Sequence, residues 1–203
     1  MERDLLLTPG NHSLLLLDYQ YLQLLTTRSH HPVTILSRVV TLSKSASLFN
    51  IPVLVSTAFA EQQDLITEVA RLFPAQRPLD RNTMNAMEDT EVADWIKVHN
   101  RRRIVIAGLW TEVCVKLSAL KALEAGYEVY VISDACGGAS AEEHQKALEC
   151  MTTAGIKILS TESYVSEVSG REDVSELIDT PEIGWNGQLR NYLLSRQVYA
   201  DYI

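Results

Sequence analysis

Cys114 is the residue of this sequence best placed to act as a nucleophile. It closes the run Gly108-Leu109-Trp110-Thr111-Glu112-Val113-Cys114, which leads from an apolar stretch into a segment of helical period. A cysteine in the first turn of a helix meets unpaired backbone N–H groups and the positive end of the dipole, both of which favour a thiolate. The same N–H groups could cradle an oxyanion. A small buried hydrophobe would suit the position equally well, because free cysteine is commonly buried. Asp18 is the second candidate, standing directly after four consecutive leucines, Leu14, Leu15, Leu16 and Leu17. A carboxylate in so apolar a setting is costly unless paired. A helix cap or a strand-end salt bridge is the plain alternative. A carboxylate base and a thiol together would support nucleophilic acyl chemistry.

The elements that must position these residues alternate in type. Residues 14–17 read as a buried strand, residues 33–50 as a helix with Leu36, Val39, Val40 and Leu48 near one face, and residues 51–56 as a second strand. A weak helix is expected over 64–72, an irregular proline-containing stretch over 73–80 and a helix over 89–100. Then follow a strand at 103–107, a helix running to Gly126, a strand at 128–132, a helix at 141–154 stopped by Gly155, and a strand at 156–159. Repeated βα units predict a parallel sheet with crossover helices. In such sheets the active crevice lies beyond the carboxyl ends of the strands, where Asp18 and Cys114 both fall. Residues 1–203 read as one domain, with 170–203 a peripheral C-terminal arm and a candidate oligomer contact.

Composition bounds the function. The chain has 203 residues, 46% of them hydrophobic and 22% charged, which suffices for one full core. A net charge of -8 would repel a phosphate backbone, so nucleic acid is not expected as a partner. The one basic run, Arg101-Arg102-Arg103, is read as a solvated helix C-terminus. No stretch approaches about 18 apolar residues and no secretory signal is evident, so a cytoplasmic protein without a membrane partner is expected. The cysteines Cys114, Cys136 and Cys150 are odd in number and widely spaced, which fits reduced thiols. Cys136, Cys150 and His144 are read as structural, and the pair His30-His31 as solvated.

Four pieces carry a resemblance: Leu16-Leu17-Asp18-Tyr19-Gln20, Arg81 with Asn85-Ala86, the run from Gly108 to Cys114, and Ser133-Asp134-Ala135-Cys136. Together they resemble the isochorismatase-like cysteine hydrolase superfamily, nearest its YcaC-like branch, over residues 14–168. The resemblance implies a three-layer α/β/α fold with a mainly parallel, roughly six-stranded sheet, and a homo-oligomer. It implies a catalytic triad of Asp18, Cys114 and a basic residue, usually lysine, that falls here on Arg81. It also implies a cis peptide before Trp110, so that the N–H groups of Trp110 and Cys114 form an oxyanion hole. Arginine cannot realistically give up its proton, so Arg81 would hold charge and Asp18 would move the proton. Ordinary aspartate and cysteine differ by about 4.6 pKa units, roughly 6 kcal/mol against that transfer. Arg81, the helix terminus and desolvation of Asp18 are expected to close most of the gap.

The implied substrate is a small amide, ureide or carbamoyl compound, attacked without a cofactor. Tyr19, Phe59, Met84, Asn85 and Trp110 adjoin the motif residues and are candidate pocket walls. Metal-dependent nicotinamidases of the superfamily carry an Asp/His cluster after the second strand. Residues 56–61 here contain no histidine, so no metal is expected. Cys114 also argues against isochorismate cleavage, whose enzymes lack the nucleophilic cysteine. Two other readings stay open: a binding or scaffold protein on the same fold, and a thiol redox protein using Cys114.

Overall fold

Two six-residue runs, His12–Leu17 (β1) and Arg103–Gly108 (β4), are buried along their whole length and lie side by side at the centre of the sheet. Strands covered on both faces read as continuous apolar runs, which is why they stand out in the sequence. The structure is a computed structural model and describes residues 5–170. Its other strands are Val53–Ala58 (β2), Leu79–Arg81 (β3), Glu128–Ile132 (β5) and Lys157–Leu159 (β6). The six pair in the order β3-β2-β1-β4-β5-β6, and every pairing is parallel. The chain runs outward from β1 to β3, then returns beside β1 and runs outward the other way. The switch between β1 and β4 opens a crevice at their carboxyl ends.

The helices are Tyr21–Thr26 (α1), Pro32–Leu48 (α2), Thr67–Ala70 (α3), Thr90–His99 (α4), Lys116–Glu124 (α5), Ala141–Ala154 (α6) and Thr161–Ser169 (α7). Local chemistry fixes their ends. The Asp89 carboxylate accepts from the N–H groups of Glu91 and Val92, and the Ser140 hydroxyl from that of Glu143. Three features depart from the sequence reading. The stretch 73–80 leads into a strand after all: Leu79, Asp80 and Arg81 pair with Ser56, Thr57 and Ala58. Helices α1 and α7 were not expected. The basic run does not end a helix, since Asn100 caps α4 in the left-handed region while Arg102 and Arg103 both pair with Glu128 on β5. The proposed arm at 170–203 lies outside the described residues apart from Gly170. Among the described residues no helix is long and apolar enough to cross a membrane.

α7 is tied to the sheet by a buried histidine. His12 Nδ1 bonds the Thr8 carbonyl at 2.8 Å, and Nε2 bonds the Tyr164 hydroxyl at 2.9 Å. Burial pushes His12 down to about 4, so it is neutral at physiological pH.

Gly108 is required where β1 and β4 converge. A Cβ there would stand 2.5 Å from the Leu17 carbonyl oxygen and 2.8 Å from Leu17 Cβ, at the strand ends that hold Asp18 and lead to Cys114. Gly108→Ala is expected to destabilise the protein by about 1–3 kcal/mol through this overpacking. Gly10→Ala, whose Cβ would meet nothing closer than 4.0 Å, is the control. Equal thermal midpoints for the two variants would remove the close-approach account.

Candidate active site

Asp18 follows β1 directly and takes a left-handed backbone, φ 58°, which aspartate tolerates better than most residues. Its N–H donates to the Ser56 carbonyl at 2.9 Å and its carbonyl accepts from Gln20 N–H at 2.7 Å, so the turn is pinned on both sides. Arg81 ends β3, two strands away. Its Nη2 donates to Asp18 Oδ2 at 2.6 Å and its Nη1 to the Thr83 carbonyl at 3.2 Å. Both side chains are almost fully buried. Cys114, 6% exposed, lies in the π-helical turn Thr111–Val115 that heads α5. There Val115 N–H reaches back to the Trp110 carbonyl at 3.3 Å. Such turns recur at functional sites. β1, β3 and β4 thus bring a carboxylate, a guanidinium and a thiol together.

Burial pushes Asp18 up to about 6, opposed first by the Arg81 charge and then by hydrogen bonds from the Cys114 thiol and Arg81. The Cys114 thiol is also pushed up, by burial and then by the Asp18 charge and hydrogen bond; Arg81 and the backbone N–H of Trp110 oppose this. In the resting protein the proton sits on sulfur and the thiol faces an ionisable carboxylate. Desolvation of the sulfur is the largest influence on it, and the Asp18 charge acts in the same direction. Neither oxygen nor nitrogen donates to Asp18 Oδ1 among the described residues, which leaves that atom as the acceptor for a moving proton.

The remaining candidates separate. The peptide between Leu109 and Trp110 is cis, as the resemblance implied. Trp110 Nε1 donates to the Gln23 carbonyl at 3.2 Å and so ties the cysteine loop to α1. Tyr19 is not a pocket wall: it is 1% exposed and its hydroxyl donates to the Ala135 carbonyl at 2.7 Å. Phe59 is on a wall. It takes φ 55°, is 37% exposed, and lines a cavity of about 410 Å³ with Glu61, Asp80, Arg81, Asn82 and Asp89. Met84 and Asn85 do not line that cavity. Met84 is exposed, and Asn85 folds its own turn, accepting from Met87 N–H and donating to Glu88 Oε1. No group of three or more His, Cys, Asp or Glu among the described residues is arranged to hold a metal.

Other residues support the site without having been singled out. Gln20 grips Ala58 by both backbone groups, Oε1 taking its N–H at 2.9 Å and Nε2 donating to its carbonyl at 3.1 Å. The Asp-x-Gln pattern contained this residue, but nothing local revealed its partner on β2. Thr111 Oγ1 bonds His144 Nδ1 at 2.8 Å, and Glu112 Oε1 accepts from Ala139 N–H at 2.8 Å, so both ends of the 138–144 segment hold the cysteine turn. His30, expected in solvent, is half-buried with its ring edge-on to His144 at 4.8 Å, while His31 caps α2. Cys136 is buried as expected, but Cys150 is exposed.

The sequence pattern of the isochorismatase domain matches residues 12–163. The chain is 29% identical to probable hydrolase YcaC of Escherichia coli strain K12 over 156 residues, 75% of each protein. The crystal structure of the E. coli YcaC product, an octameric hydrolase of unknown specificity, superposes with a TM-score of 0.84 at 25% identity, covering 98% of this chain and 100% of that one. YcaC from Pseudomonas aeruginosa, solved with hexane-2,5-diol and covalent acrylamide, gives a TM-score of 0.83 at 26% identity, with the same coverage.

Proposed function

We propose, given that this chain belongs to the isochorismatase domain family of hydrolases, that it cleaves a carbon–nitrogen bond of a small amide, ureide or carbamoyl compound through a thioester on Cys114. The observation that carries this reading is the convergence of Asp18, Arg81 and Cys114 at three strand ends.

The resting protonation states set the order of events. Cys114 is a thiol, so its proton moves to Asp18 as sulfur bonds the carbonyl carbon, not beforehand. Raising Asp18 to about 6 makes it a better proton acceptor while leaving it mostly ionised at pH 7. Arg81 keeps Asp18 Oδ2 fixed and holds positive charge beside the site as negative charge passes from the carboxylate to the former carbonyl oxygen. The oxyanion of the tetrahedral intermediate is accepted by the N–H groups of Trp110 and Cys114. Asp18 then returns its proton to the departing amine. Water attacks the thioester with Asp18 as base, releasing the acid and restoring the thiol. The octameric E. coli relative supports a homo-oligomer as the working form.

The test is a screen of small primary amides, ureides and carbamoyl compounds with wild type and Cys114→Ala, read as ammonia or amine release. Hydrolysis is expected only in wild type, with an acyl adduct on Cys114 by mass spectrometry at short times. Undiminished hydrolysis by the alanine variant would refute the assignment. Simple alkylation is a poor substitute, because Cys150 is exposed and the resting Cys114 is a buried thiol.

A further inference from the structure

The cysteine turn is held by a closed set of polar contacts that take no part in the proton transfers. The backbone N–H of Trp110 faces the Cys114 sulfur. The next residue, Thr111, is fully buried; its N–H donates to the Gly137 carbonyl at 2.9 Å and its hydroxyl bonds His144 Nδ1 at 2.8 Å. His144 reaches the turn from α6, is 7% exposed, and meets the His30 ring edge-on at 4.8 Å. Ser29 Oγ bonds His30 Nδ1 and accepts from Gly138 N–H, both at 2.9 Å, and the Gly138 carbonyl accepts from the N–H groups of Arg28 and Ser29 at 3.0 and 3.2 Å. Glu112 Oε1 closes the circuit by accepting from Ala139 N–H at 2.8 Å. A Cβ on Gly138 would stand 2.5 Å from Glu112 Oε2 and 3.2 Å from His144 Cβ, so only glycine lets the three pack together.

Histidine is a costly choice at position 144. Burial, with the His30 ring beside it, pushes His144 down to about 4, so at neutral pH it is an uncharged imidazole. A leucine would fill much of the same space without desolvating two ring nitrogens. What the imidazole adds is a hydrogen bond to a fully buried hydroxyl, one residue along from the N–H that faces sulfur. Buried polar networks rigidify what they join. Oxyanion stabilisation depends on donors fixed before the charge develops, and a displacement of about 1 Å is enough to lose rate.

We propose that His144 is a positioning residue of the active site: through Thr111 it fixes the turn so that the N–H groups of Trp110 and Cys114 stay aimed at one oxyanion. Its catalytic meaning rests on the hydrolase reading above, but the hole it holds can be probed without turnover.

Four variants on a Cys150→Ser background test it. His144→Leu and Thr111→Val each delete one partner of the 2.8 Å bond, the second with little change of volume, while His144→Asn and Thr111→Ser keep a polar atom in its place. Butyraldehyde takes the Cys114 sulfur at its carbonyl carbon, the thiol proton passing to the oxygen, and that oxygen occupies the oxyanion position in the resulting hemithioacetal. Its binding is read as protection of Cys114 from methyl methanethiosulfonate, which forms a methyl disulfide at sulfur, releases methanesulfinate and needs no oxyanion donor. The two deletions are expected to bind the aldehyde about tenfold or more weakly, and the two conservative variants within about threefold of the parent. All four should react with the thiosulfonate alone at the parent rate within about threefold, since that step bypasses the hole. On any amide that the parent hydrolyses, kcat should fall in the two deletions by the same factor as aldehyde binding, with KM little changed. Aldehyde protection that is absent in the parent, unchanged in the deletions, or weakened equally in all four variants overturns the positioning role. A matching fall in thiosulfonate rate also overturns it, because a generally loosened turn would move both. A parent whose aldehyde binding depends on this bond but which hydrolyses no amide supports the role and overturns the hydrolase reading instead.

Discussion

Asp18→Asn is expected to cut kcat/KM on the order of 10⁴-fold, because it removes the one group able to take the thiol proton. Cys114 is held as a thiol, and its neighbour Arg81 cannot act as a base, so no other side chain substitutes. Asparagine keeps an acceptor for the Arg81 Nη2 donor that now reaches Oδ2, so the fold is retained with a lowered thermal midpoint, because the buried guanidinium loses its counter-charge. Circular dichroism and a thermal midpoint verify this. The pH profile of wild-type kcat/KM supplies a second readout. Asp18 must be ionised to work, and its pKa is raised by burial to about 6, so the rate should fall as pH drops through about 6. An ordinary carboxylate would place that fall near about 4. A folded Asp18→Asn protein retaining a tenth of the activity would sink the role given to Asp18.

Arg81→Met should act through Asp18 and therefore differ from the loss of Asp18 itself. The guanidinium is the largest influence lowering Asp18, and without it the carboxyl group rises further and is neutral over more of the pH range. Activity at pH 7 should be lost, with the acid limb displaced upward and partial recovery at higher pH, which Asp18→Asn cannot show. Breaking a buried pair by removing one partner costs about 3–5 kcal/mol where the remaining group is charged. The sign follows from the raised pKa: the unfolded chain ionises near the ordinary value while the folded chain resists. Destabilisation should thus be small at pH 4 and grow as pH rises through the folded pKa. Arg81→Lys keeps a charge near Oδ2 but not the second bond to the Thr83 carbonyl, and should retain part of the turnover. Identical pH profiles for Arg81→Met and wild type would show that Arg81 does not tune Asp18.

The central strands and most helices were legible in the sequence because their burial is periodic or continuous. Residues 14–17 of β1 and 104–107 of β4 are unbroken apolar runs, and α6 is bounded by Ser140 and Gly155, residues that cap helices for local reasons. β3 was not, because three residues are too few to show an alternation and its partner is β2. Tyr19 illustrates the same limit. Adjacent to Asp18 in sequence, it points into the core and bonds Ala135, a residue 116 positions away.

The sequence by itself determined that Asp18 and Cys114 stand at strand ends on one side of a parallel sheet, since strand direction and the βα alternation are local properties. The family resemblance implied that the basic partner is Arg81, an arginine that cannot realistically give up its proton. Only the tertiary structure decided that Arg81 meets Asp18 across 63 residues, that the thiol stays protonated, and that three carboxylates gather over the same guanidinium. Desolvation and charge proximity are sums over neighbours in space. Periodicity tells which face a residue lies on, but not which distant residues share that face.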